Sequence, residues 1–265
     1  MVGVLVDVTK EIANEERLRR RNIELNRTNE ELESFNRIAS HDLQEPLRKI
    51  QMFISRLEAE EKKNFSERSK GYMEKVVSSV DRMRELISNL LSYSRIEAPS
   101  QHPQKIDLNM VLAQVKEDLS EQIEESNAEI KAEKLPKIIG IAFQIEQLFG
   151  NIIGNSLKYR KPDVAPKIEI SSEILPFSKI DKSLNLPKSR YVEIQLKDNG
   201  IGFDKKHSDK IFEIFQRLHN KKTYSGTGLG LAICRKIVEA HHGAIKAKGS
   251  LSKGSVFTIY LPYSA

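Results

Sequence analysis

The chain has 265 residues, of which 39% are hydrophobic, 30% charged and 6% aromatic, with no Trp. That is room for two modest domains but lean for one compact enzyme, so a long, solvent-facing helical part is expected. The lone Cys234 excludes a disulfide framework or a cysteine-rich zinc site; no apolar run approaches the ~18 residues of a membrane span and no secretory signal follows Met1, which makes the expected compartment the cytosol.

The formal charge of +6 is the small remainder of 43 basic against 37 acidic residues. The densest basic cluster, Arg17 and Arg19 to Arg21, stands beside Glu15 and Glu16 and reads as a solvated helix face. No basic patch is interleaved with aromatics, so no nucleic-acid partner is expected.

Val2, Val4, Val6 and Val8 give the opening residues a strand rhythm. A lone strand is not stable, so the chain is expected to begin inside a larger protein. From Glu11 to about Glu60 the pattern is helical, with Leu18, Leu25, Leu32 and Ala39 recurring every seven residues and Asn22, Asn29 and Asn36 four residues after the first three. As heptads this is a weak parallel seam with buried amides, favoured over an Asn row that simply faces water. The steps Leu43, Leu47, Ile50, Ile54, Leu57 contain a stutter beside Pro46, where local unwinding and a bend are expected.

Ser66 is the expected cap of a second helix carrying Tyr72, Val76, Val80, Met83, Ile87, Leu90 and Leu91. Two such helices make an antiparallel hairpin, and two hairpins a four-helix bundle. Ala98 to Pro103 reads as a linker. Beyond it, helices are expected over 108–123, 143–159 and 229–241, and strands over 128–132, 167–174, 191–197, 244–248 and 255–261, with an inserted loop at 175–190. Helices interleaved with a mostly antiparallel sheet imply an α/β sandwich.

Four stretches carry chemistry. In the first, Ser40-His41-Asp42-Leu43-Gln44-Glu45-Pro46-Leu47, the heptad places His41 at f, farthest from the seam and presented to solvent. Asp42 can hold one ring nitrogen protonated, leaving the other as a nucleophile. The second places Asn151, Asn155, Lys158 and Tyr159 on one helical stripe opposite Leu148, Ile152 and Ile153. Amide oxygens there can complete a Mg²⁺ shell, while Lys and Tyr reach phosphate oxygens.

The third, Asp198-Asn199-Gly200-Ile201-Gly202, follows a strand; its glycines allow close approach to a flat ligand and its carboxylate can accept from an exocyclic amine. The fourth, Gly226-Thr227-Gly228-Leu229-Gly230, opens a helix and reads as a phosphate cradle. Between them, residues 204–225 have the look of a lid tacked down by Phe212 and Phe215.

Together with the Phe212 to Phe215 stretch and in this order, these stretches resemble the H, N, G1, F and G2 boxes of bacterial-type sensor histidine kinases over nearly the whole chain. The wording around His41 is most similar to kinases attached to PAS or phytochrome sensors, and Gly3 to Thr9 looks like the last strand of a PAS domain. The resemblance implies an upstream sensor strand at 1–9, a coiled-coil signalling helix at 10–36, a dimerisation and phosphotransfer hairpin at 37–98, a linker at 99–106 and a Bergerat-type ATP-binding domain at 107–265. The implied fold class is α plus α/β: a long-helix hairpin forming a dimeric four-helix bundle, then an α/β sandwich.

By the same resemblance, His41 accepts the γ-phosphoryl group of ATP and Asp42 orients it or takes its proton. Asn155 would ligand Mg²⁺, with Asn151, Lys158 and Tyr159 around metal and phosphates. Asp198 would read adenine in a pocket shaped by Gly200 and Gly202, Gly226 to Gly230 would line the phosphate side, and Arg217 and His219 are candidates for γ-phosphate contacts. The implied partners are a second copy, an upstream sensor and the receiver domain of a response regulator. Two departures stand out: Glu45 occupies the place of a Thr or Asn linked to dephosphorylating the partner, and Asn151 replaces the Glu base of ATPases with this fold, which disfavours water as acceptor. The rival readings are a non-catalytic scaffold and an ATP-hydrolysing chaperone or topoisomerase module.

Overall fold

Two compact units make up the chain, residues 1–80 and 81–265, and the computed structural model describes residues 9–61, 65–96, 102–218 and 226–263. The first unit contains helix α1 (Thr9–Glu61) and the start of helix α2 (Glu67–Arg95). Ser66 caps α2 as expected, its hydroxyl oxygen accepting the Ser69 N–H at 3.1 Å. Despite the N–H that proline lacks, α1 stays helical through Pro46, so the expected unwinding does not interrupt it.

Apolar residues in the hairpin form two kinds of row. Leu47 and Ile54 on α1 and Val80 and Ile87 on α2 are buried, each pair seven residues apart. Leu43, Ile50 and Leu57, and likewise Val76, Met83 and Leu90, keep the same spacing but are exposed. Expectations for the strand at 2–8 lie outside the described residues. So do those for the side chains of the seam at Leu25, Leu32, Ala39, Asn22, Asn29 and Asn36, and for the presentation of His41.

The second unit adds β1 (Gln104–Asp107), α3 (Leu108–Asp118), α4 (Ser120–Ser126), β2 (Glu129–Ala132), β3 (Lys137–Gly140), α5 (Ala142–Lys158), β4 (Lys167–Leu175), β5 (Tyr191–Asp198), α6 (Gly230–Ala240), β6 (Ala244–Ser250) and β7 (Gly254–Pro262). The main sheet has the order β2-β4-β5-β7-β6, parallel only between β2 and β4. Strand alternation decides its faces. Ile168, Ile170, Val192, Ile194, Leu196, Phe257, Ile259 and Leu261 point into one core with Leu148, Phe149 and Ile152 of α5 and Ile233, Ile237 and Val238 of α6. Polar residues occupy the other face, where Glu169 and Lys197 are cross-strand partners and form a 2.8 Å ion pair. The result is an α/β sandwich of two layers.

Three features differ from the sequence reading. Residues 104–106, expected in the linker, belong to β1, which pairs antiparallel with the unforeseen β3 from Gln104↔Gly140 to Asp107↔Lys137. The helix expected over 108–123 is broken at Leu119 into α3 and α4. The division between the units falls inside α2 rather than at the linker: Leu86 and Tyr93 pack with Ile96 against the second unit's core, and Gln144 donates its amide to the Ile96 carbonyl at 2.9 Å. The insertion at 175–190 is ordered, with Ile180 and Tyr191 buried in a satellite cluster and the Tyr191 hydroxyl donating to the Pro187 carbonyl at 3.0 Å.

Candidate functional site

Helix α5 supplies one wall of the site. With Leu148, Ile152 and Ile153 fully buried, its opposite stripe of Asn151, Asn155, Lys158 and Tyr159 faces a cleft, as the spacing implies. Asn151 also ties the helix to the loop opposite, donating from its amide nitrogen to the Gly230 carbonyl at 3.3 Å.

A second wall forms where β5 ends. Asp198 is only 8% exposed. Its Oδ1 accepts the N–H groups of Gly200 at 2.8 Å and Ser255 at 3.2 Å, while its Oδ2 accepts the Ser255 hydroxyl proton. Three donors therefore fix the carboxylate while leaving part of it in the cleft. Gly202 has φ +64°, and a Cβ there would stand 2.0 Å from the Ser250 carbonyl oxygen, so the β6–β7 turn presses directly on this loop.

The third wall is the loop entering α6. A Cβ on Gly226 would meet Lys158 Nζ at 2.5 Å, so the ammonium lies against the loop backbone. Gly228, at φ +76°, passes the backbone of Phe215 where a Cβ would be 2.9 Å from its carbonyl carbon. Leu229 is not a lining residue; it is buried at 1% exposure and anchors the loop from beneath.

The walls enclose one cleft with two ends. The first end, about 640 Å³, is largely apolar, with Phe203, Leu218, Leu231 and Phe257 around Asp198. The second, about 710 Å³, is polar, with Asn151, Lys158, Arg217 and the Gly226–Gly228 loop. Asn155, Tyr159, Gln216 and Arg217 belong to both. Burial pushes the half-buried Lys158 ammonium below its usual range; Glu85 opposes this and Arg217 adds to it. One carboxylate at an apolar end and converging cations at the other suit a ligand with a flat base and an anionic tail.

Not every expected residue joins the cleft. Phe212 is buried in the core, edge-on to Phe257 at 6.5 Å and beneath the Arg235 guanidinium at 4.5 Å. Phe215 is 61% exposed, so Ile211 and Phe212, not two phenylalanines, tack down the lid segment. His219 lies outside the described residues. Asp42 is exposed on α1, in the first unit.

The sequence reading also missed Ser255, Phe257 and Phe203, and from α2 Glu85 and Asn89, which line the polar end. Their only signal is tertiary register, such as the Leu196↔Phe257 pairing that brings β7 beside Asp198. No group of three or more His, Cys, Asp or Glu able to hold a metal occurs among the described residues. A cation here would therefore draw on the Asn155 amide oxygen, ligand oxygens and water, a donor set that suits Mg²⁺.

Comparison with known proteins agrees with this geometry. Residues 140–265 match the family of histidine kinase-, DNA gyrase B-, and HSP90-like ATPases, and residues 31–99 match the His Kinase A (phospho-acceptor) domain. The chain belongs to the sensor histidine kinases, a family of ATP-dependent protein kinases, and carries their kinase core. It is 36% identical to cyanobacterial phytochrome A of Nostoc sp. over 90% of its own length and 29% of that protein. It is 30% identical to the sensor protein kinase WalK of Staphylococcus saprophyticus over 84% of its length and 35% of that protein. The chain thus spans about a third of these relatives. The fold is shared with full-length ShkA, solved in complex with AMPPNP, at a TM-score of 0.63 and 24% identity over 87% of this chain and 46% of that one.

Proposed function

We propose that this chain phosphorylates its own His41 from ATP and passes the phosphoryl group to an aspartate on the receiver domain of a response regulator, as the kinase core of a two-component system. The observation that supports this reading is the two-ended cleft, with Asp198 fixed at its apolar end and Lys158, Arg217 and the glycine loop at its polar end, on a chain that also carries His41-Asp42-x-x-x-Pro46.

Each residue has a definite task. Asp198 accepts from the adenine amino group while Phe203, Leu231 and Phe257 exclude water from the base. Lys158 and Arg217 counter phosphate charge, and Asn155 would hold Mg²⁺, which when bound neutralises charge developing on the phosphate oxygens. An imidazole nitrogen of His41 attacks the γ-phosphorus, the bond to the ADP oxygen breaks, and Asp42 orients the ring and takes its proton. The resulting phosphoramidate then yields its phosphoryl group to the receiver carboxylate. Asn151 cannot remove a proton from water, which favours histidine over hydrolysis. Glu45, exposed and 2.8 Å from Lys49, is a carboxylate where an amide or hydroxyl would orient an attacking water, so phosphatase activity is expected to be weak.

The exposed rows Leu43, Ile50, Leu57 and Val76, Met83, Leu90 support a homodimer, since a second hairpin would cover them and complete a four-helix bundle. The likeness to phytochromes supports an upstream sensor, and a cytoplasmic place fits a chain in which no described helix is long and apolar enough to cross a membrane. Incubation with γ-labelled ATP is expected to give an alkali-stable, acid-labile label on the wild type and none on His41→Gln. Label on another residue, or steady phosphate release from unlabelled protein, would overturn the reading.

A further inference from the structure

Phe203 follows the Asp198–Gly202 stretch and lines the apolar end of the cleft, itself only 8% exposed. Its ring lies against Gly249, which sits within the paired part of β6, opposite Ser255 of β7. Glycine weakens the interior of a strand, and the Gly249 backbone is not left-handed, so no turn calls for it there. The reason is spatial. A Cβ at Gly249 would stand 2.5 Å from the Phe203 ring and 2.6 Å from the Phe203 carbonyl oxygen. The core-facing positions of β6 run Ile245, Ala247, Gly249, shrinking toward the cleft, and the phenyl ring takes the room that the missing side chain leaves. Because Ser255 is the residue that holds the Asp198 carboxylate, the ring stands one strand beyond that carboxylate's own support.

Resting on the reading of the cleft as an ATP site, we propose that Phe203, seated on Gly249, determines which bases the cleft accepts. Purines with an unsubstituted amino group fit, and those bearing a bulky group on it meet the ring. Asp198 cannot make this distinction. A singly substituted amino group keeps one N–H to donate, so the carboxylate is satisfied by either base. Shape can make it, because a phenyl ring backed by a strand has little space to retreat into. Gly249 is then a positioning residue, fixing how far the ring lies back from the base. A side chain there would push ring and loop toward the cleft, since the strand behind them is held in register by β7.

Calorimetric titration of the 265-residue chain with ADP and with N6-benzyl-ADP, in the presence of Mg²⁺, tests this assignment. The wild type is expected to prefer ADP by at least about tenfold, the lower end of what a misfit costs in an apolar pocket. Phe203→Ala is expected to move that preference at least about tenfold toward the benzylated nucleotide. A ratio of two affinities is not moved by a general loss of folded protein. Gly249→Ala is expected to weaken ADP by about tenfold, and adding Phe203→Leu to the same chain to recover at least about threefold of it, the mark of two residues that touch. Equal binding of the two nucleotides by the wild type, or an unchanged ratio in Phe203→Ala, would overturn the proposal while leaving the site reading intact. So would undiminished ADP binding by Gly249→Ala, or no recovery in the double variant. Failure of the wild type to bind either nucleotide would bring down both.

Discussion

Asp198 shows how much of the site a single residue can carry. Its carboxylate is nearly buried, yet Gly200 N–H, Ser255 N–H and the Ser255 hydroxyl all donate to it, so it is rigidly aimed. Asp198→Asn keeps one carbonyl oxygen for the two backbone donors but turns an NH₂ toward the remaining partners. Loss of a hydrogen bond to a charged group costs about 1.5–3 kcal/mol, so calorimetry is expected to show ADP binding weakened by roughly ten- to a hundredfold or more. A thermal melt of the free protein should move far less. Collapse of the melt together with binding would mean that the residue serves the fold rather than the ligand. The residue itself was legible only in company: Asp-x-Gly-x-Gly after a strand is common in turns, and it is the order of the five stretches that singles this one out. Its partner Ser255, 57 residues further on, was not, since only the register of β7 on β5 brings it there.

Helix α6 and helix α5 are joined at their ends by one imidazole. His241, just beyond α6, contacts the Ile237 carbonyl through Nδ1 at 2.8 Å and accepts the Ile141 N–H through Nε2 at 3.1 Å, which satisfies the residue that begins α5. Only the neutral ring with its proton on Nδ1 can make both bonds. Burial, the largest cause, pushes the His241 pKa below its usual value, and His242 adds to this. The unfolded chain therefore binds a proton at a higher pH than the folded one, and stability present at neutral pH is lost as pH falls through about 6.5 toward the lowered folded value. Urea midpoints measured from pH 7.5 to 5 should fall in that window for the wild type. His241→Gln should start lower and show a shallower slope; an equal slope would assign the pH dependence to other groups. Long amphipathic elements such as α5 were legible because their period is sustained over several turns. The β1–β3 pair was not, for four-residue strands carry too little pattern and pair across 29 residues of intervening chain. Nor was the break at Leu119, where apolar spacing continues through Ile123 past the point at which α3 gives way to α4.

At the scale of the molecule, the two units differ in what can be asked of them, because the sole cysteine belongs to only one. Cys234 is fully buried on α6, with Sγ 3.8 Å from the Leu148 carbonyl oxygen of α5, and burial pushes its thiol up to about 12. A thiol in that state is inert toward aromatic disulfides until the α5–α6 packing opens, and opening exposes it at once. Labelling at neutral pH thus reports the opening of residues 81–265 and is blind to unfolding confined to residues 1–80. A nucleotide that binds the closed unit stabilises it by mass action, about 2.7 kcal/mol at a hundred times its Kd. Labelling of Cys234 should then slow by about a hundredfold at that ADP concentration, and by about tenfold or less in Asp198→Asn. Labelling as fast as that of a free thiol would contradict the burial of α6. A slow rate indifferent to ADP would mean that the thiol is reached by a local opening between α5 and α6 that leaves the cleft intact, and it would separate the stability of that helix pair from that of the site it supports.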